Sequence, residues 1–140
     1  NFPVRLQTRM QAAEEHTAGN AALQLQIAVG YGGRWDITNA AREIASRCVS
    51  GAMQPAQITP AVLGQAMQLG DIPDPDLFIR TGGEKRISNF LLWNLAYTEL
   101  FFCDELWPDF GEAGFEAAIA FFAARKRRYG LTGAQAGDPP

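Results

Sequence analysis

The segment that most constrains the fold is Asp76-Leu77-Phe78-Ile79-Arg80-Thr81, a short apolar run with Pro73 and Pro75 before it and Gly82-Gly83 after it. A run this short, bounded by turn residues and lacking polar alternation, reads as a strand buried on both faces, and such strands belong to parallel sheets covered by helices. Parallel neighbours cannot be joined by a tight turn, so crossover segments must flank the strand. The remaining sequence predicts them. Val4, Leu6, Met10 and Ala13 stand at helical spacing in residues 3–17, and Ala18-Gly19-Asn20 supplies a stop. Leu23, Leu25, Ile27 and Val29 alternate with Gln24, Gln26 and Ala28, the period of a strand, before Gly30-Tyr31-Gly32-Gly33 ends it. Residues 35–49 predict a helix with Ile37, Ala41, Ile44, Ala45 and Cys48 on one face and Gly51 at its close. Thr59-Pro60 predicts an N-cap and a proline in the first turn of a short helix ending near Gly70.

Residues 88–95 predict another short helix, residues 99–103 a third buried strand, and residues 110–129 an amphipathic helix. In that last helix Phe115, Ala118, Ile119, Phe122 and Ala123 face inward, and Arg125, Lys126, Arg127 and Arg128 occupy the final turns. The alternation of strands and helices argues for an α/β fold, a mainly parallel sheet flanked by helices. Residues 1–130 belong to one domain, and residues 131–140, rich in Gly, Ala and Pro, form a flexible tail.

A chain of 140 residues, 47% hydrophobic and 19% charged, can bury the core of one soluble domain. Its net charge of −3 excludes a general nucleic-acid binder, which needs a broad surplus of Lys and Arg, so any anion site must be local. No apolar run approaches the about 18 residues of a membrane span, and no signal segment opens the chain. Cys48 and Cys103 lack metal-ligand or redox spacing and read as reduced, buried thiols of a cytosolic protein. His16 is the only histidine and sits on a surface-like helix, which leaves no Ser-His or Cys-His nucleophile pair. No G-x-x-x-x-G-K-[ST] string supports a nucleotide P-loop. The aromatic residues Phe90, Trp93, Phe101, Phe102, Trp107 and Phe110 read as core or subunit interface.

Ligands of parallel α/β folds sit beyond the carboxyl ends of the strands. There the sequence places Arg80-Thr81-Gly82-Gly83-Glu84-Lys85-Arg86-Ile87-Ser88. Arginine presents a fixed fork of donors that matches phosphate oxygens and stays charged. Gly82 and Gly83 would let backbone N–H groups approach an anion, and a helix starting after Ser88 would add oriented donors. The same residues also suit a simple turn, a cap and a solvated charge, and composition does not separate the two readings.

From Asp76 to Trp93 the sequence resembles the signature of the cis-prenyltransferases, enzymes that extend an allylic prenyl diphosphate with isopentenyl diphosphate. The likeness continues through Ala96-Tyr97-Thr98-Glu99-Leu100 and Leu106-Trp107-Pro108-Asp109-Phe110, and Tyr31-Gly32-Gly33-Arg34-Trp35-Asp36 is similar to a further family block. Gly30 departs from that block, where the family commonly has Asn. The resemblance implies that Arg80, Arg86 and Ser88 hold the diphosphate of isopentenyl diphosphate, supported by Glu84, Gly82 and Gly83. It implies Glu99 as the acidic residue tied to Mg²⁺ and to catalysis. It implies that Arg128 and Gly130, in Arg128-Tyr129-Gly130, reach the site across a homodimer interface; the rival reading is a cationic helix end that complements the helix dipole.

The activity implied is condensation of isopentenyl diphosphate onto an allylic prenyl diphosphate, farnesyl diphosphate, with Z stereochemistry, to make a long-chain polyprenyl lipid-carrier precursor for the cell wall. Mg²⁺ is the implied cofactor, and a cytoplasmic enzyme touching the membrane peripherally for product release is the implied setting. The family's Asp-Gly-Asn-x-Arg-Trp-Ala motif does not occur in these 140 residues. The chain is therefore expected to be the C-terminal part of the family fold, lacking its first strands, with an open sheet edge and no turnover alone. The alternative from another class is a non-catalytic partner subunit of a heteromeric enzyme.

Overall fold

The computed structural model describes residues 2–125, which fall into two compact units divided between Gly30 and Tyr31. Arg128 and Gly130 lie outside the described residues, as does the expected tail.

In the first unit helix α1, Val4–Thr17, forms as its spacing predicts, and none of its residues is buried. The expected strand at residues 23–29 is absent. Leu23, Leu25, Ile27 and Val29 lie in irregular chain and are 57% to 81% exposed. An extended segment becomes a strand only when a neighbour accepts its backbone hydrogen bonds, and side-chain alternation cannot supply that neighbour.

The second unit opens with α2, Gly33–Val49. Its buried stripe is Gly33, Asp36, Ala40 and Ile44, not the apolar set expected, and Ala41 and Ala45 are exposed. The stripe keeps the helical three-and-four spacing, but a glycine and a carboxylate occupy it, and neither registers as hydrophobic. Helix α3, Pro60–Gln65, starts as expected, with the Thr59 hydroxyl accepting from the Val62 N–H at 3.2 Å, and ends five residues before Gly70. It packs against α2.

Strand β1, Leu77–Arg80, and strand β2, Glu99–Phe102, run parallel, in the register Leu77 to Glu99 and Arg80 to Phe102. Among the described residues they are the whole sheet, and both are half-buried where full burial was expected. The crossover between them contains no regular helix. Residues 88–95 form successive turns because Ser88 and Leu91 take φ of 55° and 45°, values a right-handed helix cannot accommodate.

Helix α4, Glu112–Ala123, covers β2, with the Phe101 and Phe121 rings 5.4 Å apart. Ala118 is fully buried, whereas Phe115 and Ile119, expected inside, are exposed. Small residues set this face: a Cβ on Gly114 would fall 2.8 Å from the Phe110 ring. Cys48 and Cys103 are unpaired and half-buried. Among the described residues no helix is long and apolar enough to cross a membrane.

Candidate functional site

Beyond the carboxyl end of β1 the chain folds back on itself. Gly82 and Gly83 take φ of 86° and 76°, the left-handed region in which a side chain is strained. Their N–H groups do not point at open space, as the sequence suggested. Gly82 donates to the Glu105 carbonyl at 2.7 Å and Gly83 to the Cys103 carbonyl at 2.9 Å. The glycines therefore shape the loop by tying it to the chain that leaves β2, and the donors left for an anion are side chains.

The Arg80 side chain ties the loop together. Arg80 Nη1 donates to the Arg86 carbonyl and, at 3.1 Å, to Ser88 Oγ. Arg86 Nη1 is paired with the Glu84 carboxylate on the exposed face of the loop. Because Ser88 Oγ accepts from Arg80, its own hydroxyl proton is left to donate elsewhere. Within the loop Arg80, Lys85 and Arg86 outnumber Glu84, while Asp104 Oδ1 lies close to Gly83 from the chain leaving β2. A planar guanidinium, a second guanidinium with most of its five donors unused and a hydroxyl donor form a set suited to a phosphate or diphosphate.

Glu99 is not part of this cluster. It opens β2 and pairs with Leu77, three residues before Arg80, so it stands at the amino end of the sheet, roughly 10 Å along the strands from the arginine. Its carboxylate meets Arg125 Nε at 3.5 Å, and the Arg125 guanidinium lies 4.2 Å from the centre of the Phe121 ring. Among the described residues no three His, Cys, Asp or Glu side chains converge on a point that could hold a metal ion. Mg²⁺ held by Glu99 would take its other oxygens from substrate phosphates, water or residues elsewhere.

The glycine-rich block at residues 30–33 meets the same loop. Gly33 N–H donates to the Asn89 carbonyl at 2.8 Å, and Arg34 N–H donates to Asn89 Oδ1 at 2.9 Å. The first donors of α2 are therefore taken by the residue that follows Ser88. A Cβ on Gly33 would meet Leu92 Cγ at 2.8 Å, so close approach of this segment accounts for the glycine. Behind the contact sits Asp36, 2% exposed, accepting from the Tyr31 hydroxyl and from Gln68 N–H, each at 3.0 Å. Burial, then the hydrogen bond and the negative charge of Asp36, push the Tyr31 hydroxyl up to about 12. The Tyr31 ring packs edge-on against Phe90 at 5.7 Å.

Asn89, Asp36 and Tyr31 were not singled out from the sequence. An acidic residue in the first turn of a helix marks Asp36 weakly, through the dipole. Nothing local marks Asn89, since the donors it satisfies lie 55 residues away.

Comparisons with known proteins identify the family. A family model described as "Putative undecaprenyl diphosphate synthase" matches residues 1–130. The ditrans,polycis-undecaprenyl-diphosphate synthase of Xanthomonas oryzae pv. oryzae, described as (2E,6E)-farnesyl-diphosphate specific, is 53% identical over 137 residues, which are 98% of this chain and 53% of that protein. The crystal structure of lavandulyl diphosphate synthase from Lavandula x intermedia, in complex with dimethylallyl diphosphate, superposes with a TM-score of 0.88 at 41% identity, over 93% of this chain and 56% of that one. A Campylobacter jejuni structure described as a probable undecaprenyl diphosphate synthase gives a TM-score of 0.76 at 31% identity, over 93% and 58%. The chain spans about half the length of the curated relatives it matches, 53% in the Xanthomonas case.

Proposed function

Because the chain belongs to the cis-prenyltransferase family, we propose that its 80–88 loop is the isopentenyl-diphosphate site of a long-chain, undecaprenyl-type synthase. The observation that carries this is that Arg80, at the carboxyl end of β1, bonds to the Ser88 hydroxyl and to the backbone carbonyl of Arg86. The allylic co-substrate is farnesyl diphosphate, the specificity given for the Xanthomonas relative.

In the reaction the double bond of isopentenyl diphosphate attacks the first carbon of the allylic diphosphate. A carbon–carbon bond forms, the carbon–oxygen bond to the departing diphosphate breaks, and loss of a proton from the isopentenyl unit leaves a new Z double bond. Arg80 and Arg86 take the oxygens of the isopentenyl diphosphate, and the Ser88 proton donates to a third. Holding that diphosphate fixes where the double bond points, and positioning of this kind removes much of the entropic part of the barrier. Gly82 and Gly83 hold the turn of the loop, and Glu84 pairs with Arg86.

Mg²⁺ belongs to this reading as the ion that neutralises charge on the departing diphosphate. The assignment of Glu99 to it requires oxygen ligands from outside the described residues of one chain. Glu99 and the 80–88 loop lie at opposite ends of the strand pair, so a site that uses both spans roughly 10 Å; the homodimer with Arg128 and Gly130 acting across it remains part of the proposal. One copy alone is accordingly the isopentenyl-diphosphate half of the site, without turnover.

The test is a calorimetric titration of the chain with isopentenyl diphosphate, paired with incorporation of labelled isopentenyl diphosphate into prenyl product. Saturable binding that Arg80→Ala weakens, with no elongation of farnesyl diphosphate in the presence of Mg²⁺, is the expected result. Binding unaffected by Arg80→Ala refutes the site, and product formation by the chain refutes its catalytic incompleteness.

A further inference from the structure

We propose that Asn89 is a positioning residue for the 80–88 loop: by gripping the amino end of α2 it holds Ser88 in a left-handed backbone conformation and so fixes the Ser88 hydroxyl against Arg80. The proposal rests on the reading of that loop as a diphosphate site.

Ser88 has φ of 55°, a conformation that costs a residue with a Cβ free energy and persists only where its surroundings over-determine it. The surroundings here are on the carboxyl side of Ser88. The first N–H groups of a helix have no partner within it, and α2 has no side-chain cap of its own. Asn89 fills that role from 55 residues away, its carbonyl accepting from Gly33 at 2.8 Å and its Oδ1 from Arg34 at 2.9 Å. Two bonds from one residue, one to its backbone and one to its side chain, fix both its place and its orientation. Phe90 extends the grip, lying 5.7 Å from the Tyr31 ring and 6.3 Å from the Phe78 ring. Ser88 is thus held between an anchored Asn89-Phe90 pair and Arg80 Nη1, 3.1 Å from its hydroxyl.

Gly32 supports the same conclusion independently. Its φ is −151°, which any residue adopts, so no backbone demand requires glycine there. What a side chain would meet is Asn89: a Cβ would fall 2.9 Å from Asn89 Nδ2 and 3.8 Å from its Cγ. Glycine at position 32 makes room for the Asn89 amide.

A cap that only stabilised the fold would change unfolding and leave affinity alone, so affinity is the deciding measurement. Titrating isopentenyl diphosphate into the chain, Asn89→Ala is expected to weaken binding about tenfold, the effect of losing one well-placed charged or polar contact. Gly32→Ala, which pushes the amide aside without altering the loop, is expected to weaken it by at least about threefold. Asn89→Ala added to Ser88→Ala is expected to cost nothing beyond Ser88→Ala, because the two changes act through one hydroxyl.

Unchanged affinity in Asn89→Ala and Gly32→Ala, while Arg80→Ala still weakens binding, overturns the role of Asn89 and spares the site. Additive losses in the double variant overturn it as well. No binding by the unmodified chain removes the site and this proposal together. Should Asn89→Ala fail to fold, Gly32→Ala decides alone, since its backbone conformation is unstrained and the atom it displaces ends a flexible side chain.

Discussion

The two ends of the β1–β2 pair are built to different standards. At the carboxyl end Arg80 bonds to Ser88 and to the Arg86 carbonyl, the next residue Asn89 bonds to the start of α2, and buried Asp36 holds Tyr31 and Gln68. At the amino end Glu99 meets one exposed arginine, Arg125, at 3.5 Å. The first arrangement holds its geometry without a ligand. The second is one 3.5 Å ion pair between a half-buried Glu99 and an exposed Arg125, whose worth is small. A carboxylate held so loosely suits a contact completed by a second molecule, whereas the loop suits recognition by one copy.

The largest effect that would break this contrast is at Asp36. Asp36→Ala leaves the Tyr31 hydroxyl and Gln68 N–H without their acceptor, and at about 1–3 kcal/mol for each orphaned group the chain should lose roughly 2–6 kcal/mol in urea unfolding. A loss below about 0.5 kcal/mol would show that the carboxyl end does not depend on its buried carboxylate.

Next comes Arg80→Ala, which removes a charged donor at a cost of about 1.5–3 kcal/mol, or roughly 10- to 150-fold in isopentenyl-diphosphate affinity by calorimetry. In a catalytically complete assembly the requirement for isopentenyl diphosphate should rise far more than that for farnesyl diphosphate; equal shifts would place Arg80 elsewhere in the mechanism. Arg86→Lys should weaken binding by a smaller factor, because a point charge does not reproduce the fork, and no change would leave Arg86 in solvent with Glu84 alone.

The Tyr31 hydroxyl gives a pH signature for the same end. Its pKa rises from an ordinary value near 10 to about 12 on folding, so its contribution to stability is complete below pH 10 and is lost as pH climbs through 12. Chemical unfolding between pH 9 and 12 should fall more steeply for the native chain than for Tyr31→Phe; parallel curves would contradict the Tyr31–Asp36 bond. The smallest effect belongs to the amino end. Arg125→Ala should change stability by less than about 1 kcal/mol, and a larger loss in thermal unfolding would show that Glu99 is anchored after all.

What the residues disclosed and what they concealed divide along the range of the interactions. The 76–88 segment declared a strand and a loop of charged donors, though not the strand's half-buried state, because those properties are local: apolar runs, glycines and arginines act within a few residues. Helices α1 and α2 and the Thr59 cap followed from periodicity and capping for the same reason. Residues 23–29 carried an equally clear alternation, yet no strand formed, because a strand needs a partner that alternation does not provide.

The short helix expected at residues 88–95 failed because Ser88 and Leu91 are held at positive φ by contacts distant in the chain. By itself, then, the amino-acid sequence determined the family, the strand and the chemistry of its loop. Only the tertiary structure decided that Asn89 ties that loop to α2, that Gly82 and Gly83 spend their N–H groups on the β2 side, and that Glu99 faces away from Arg80. Parallel register puts residues at opposite ends of a strand pair on opposite edges of the sheet, and no spacing along the chain reveals the register.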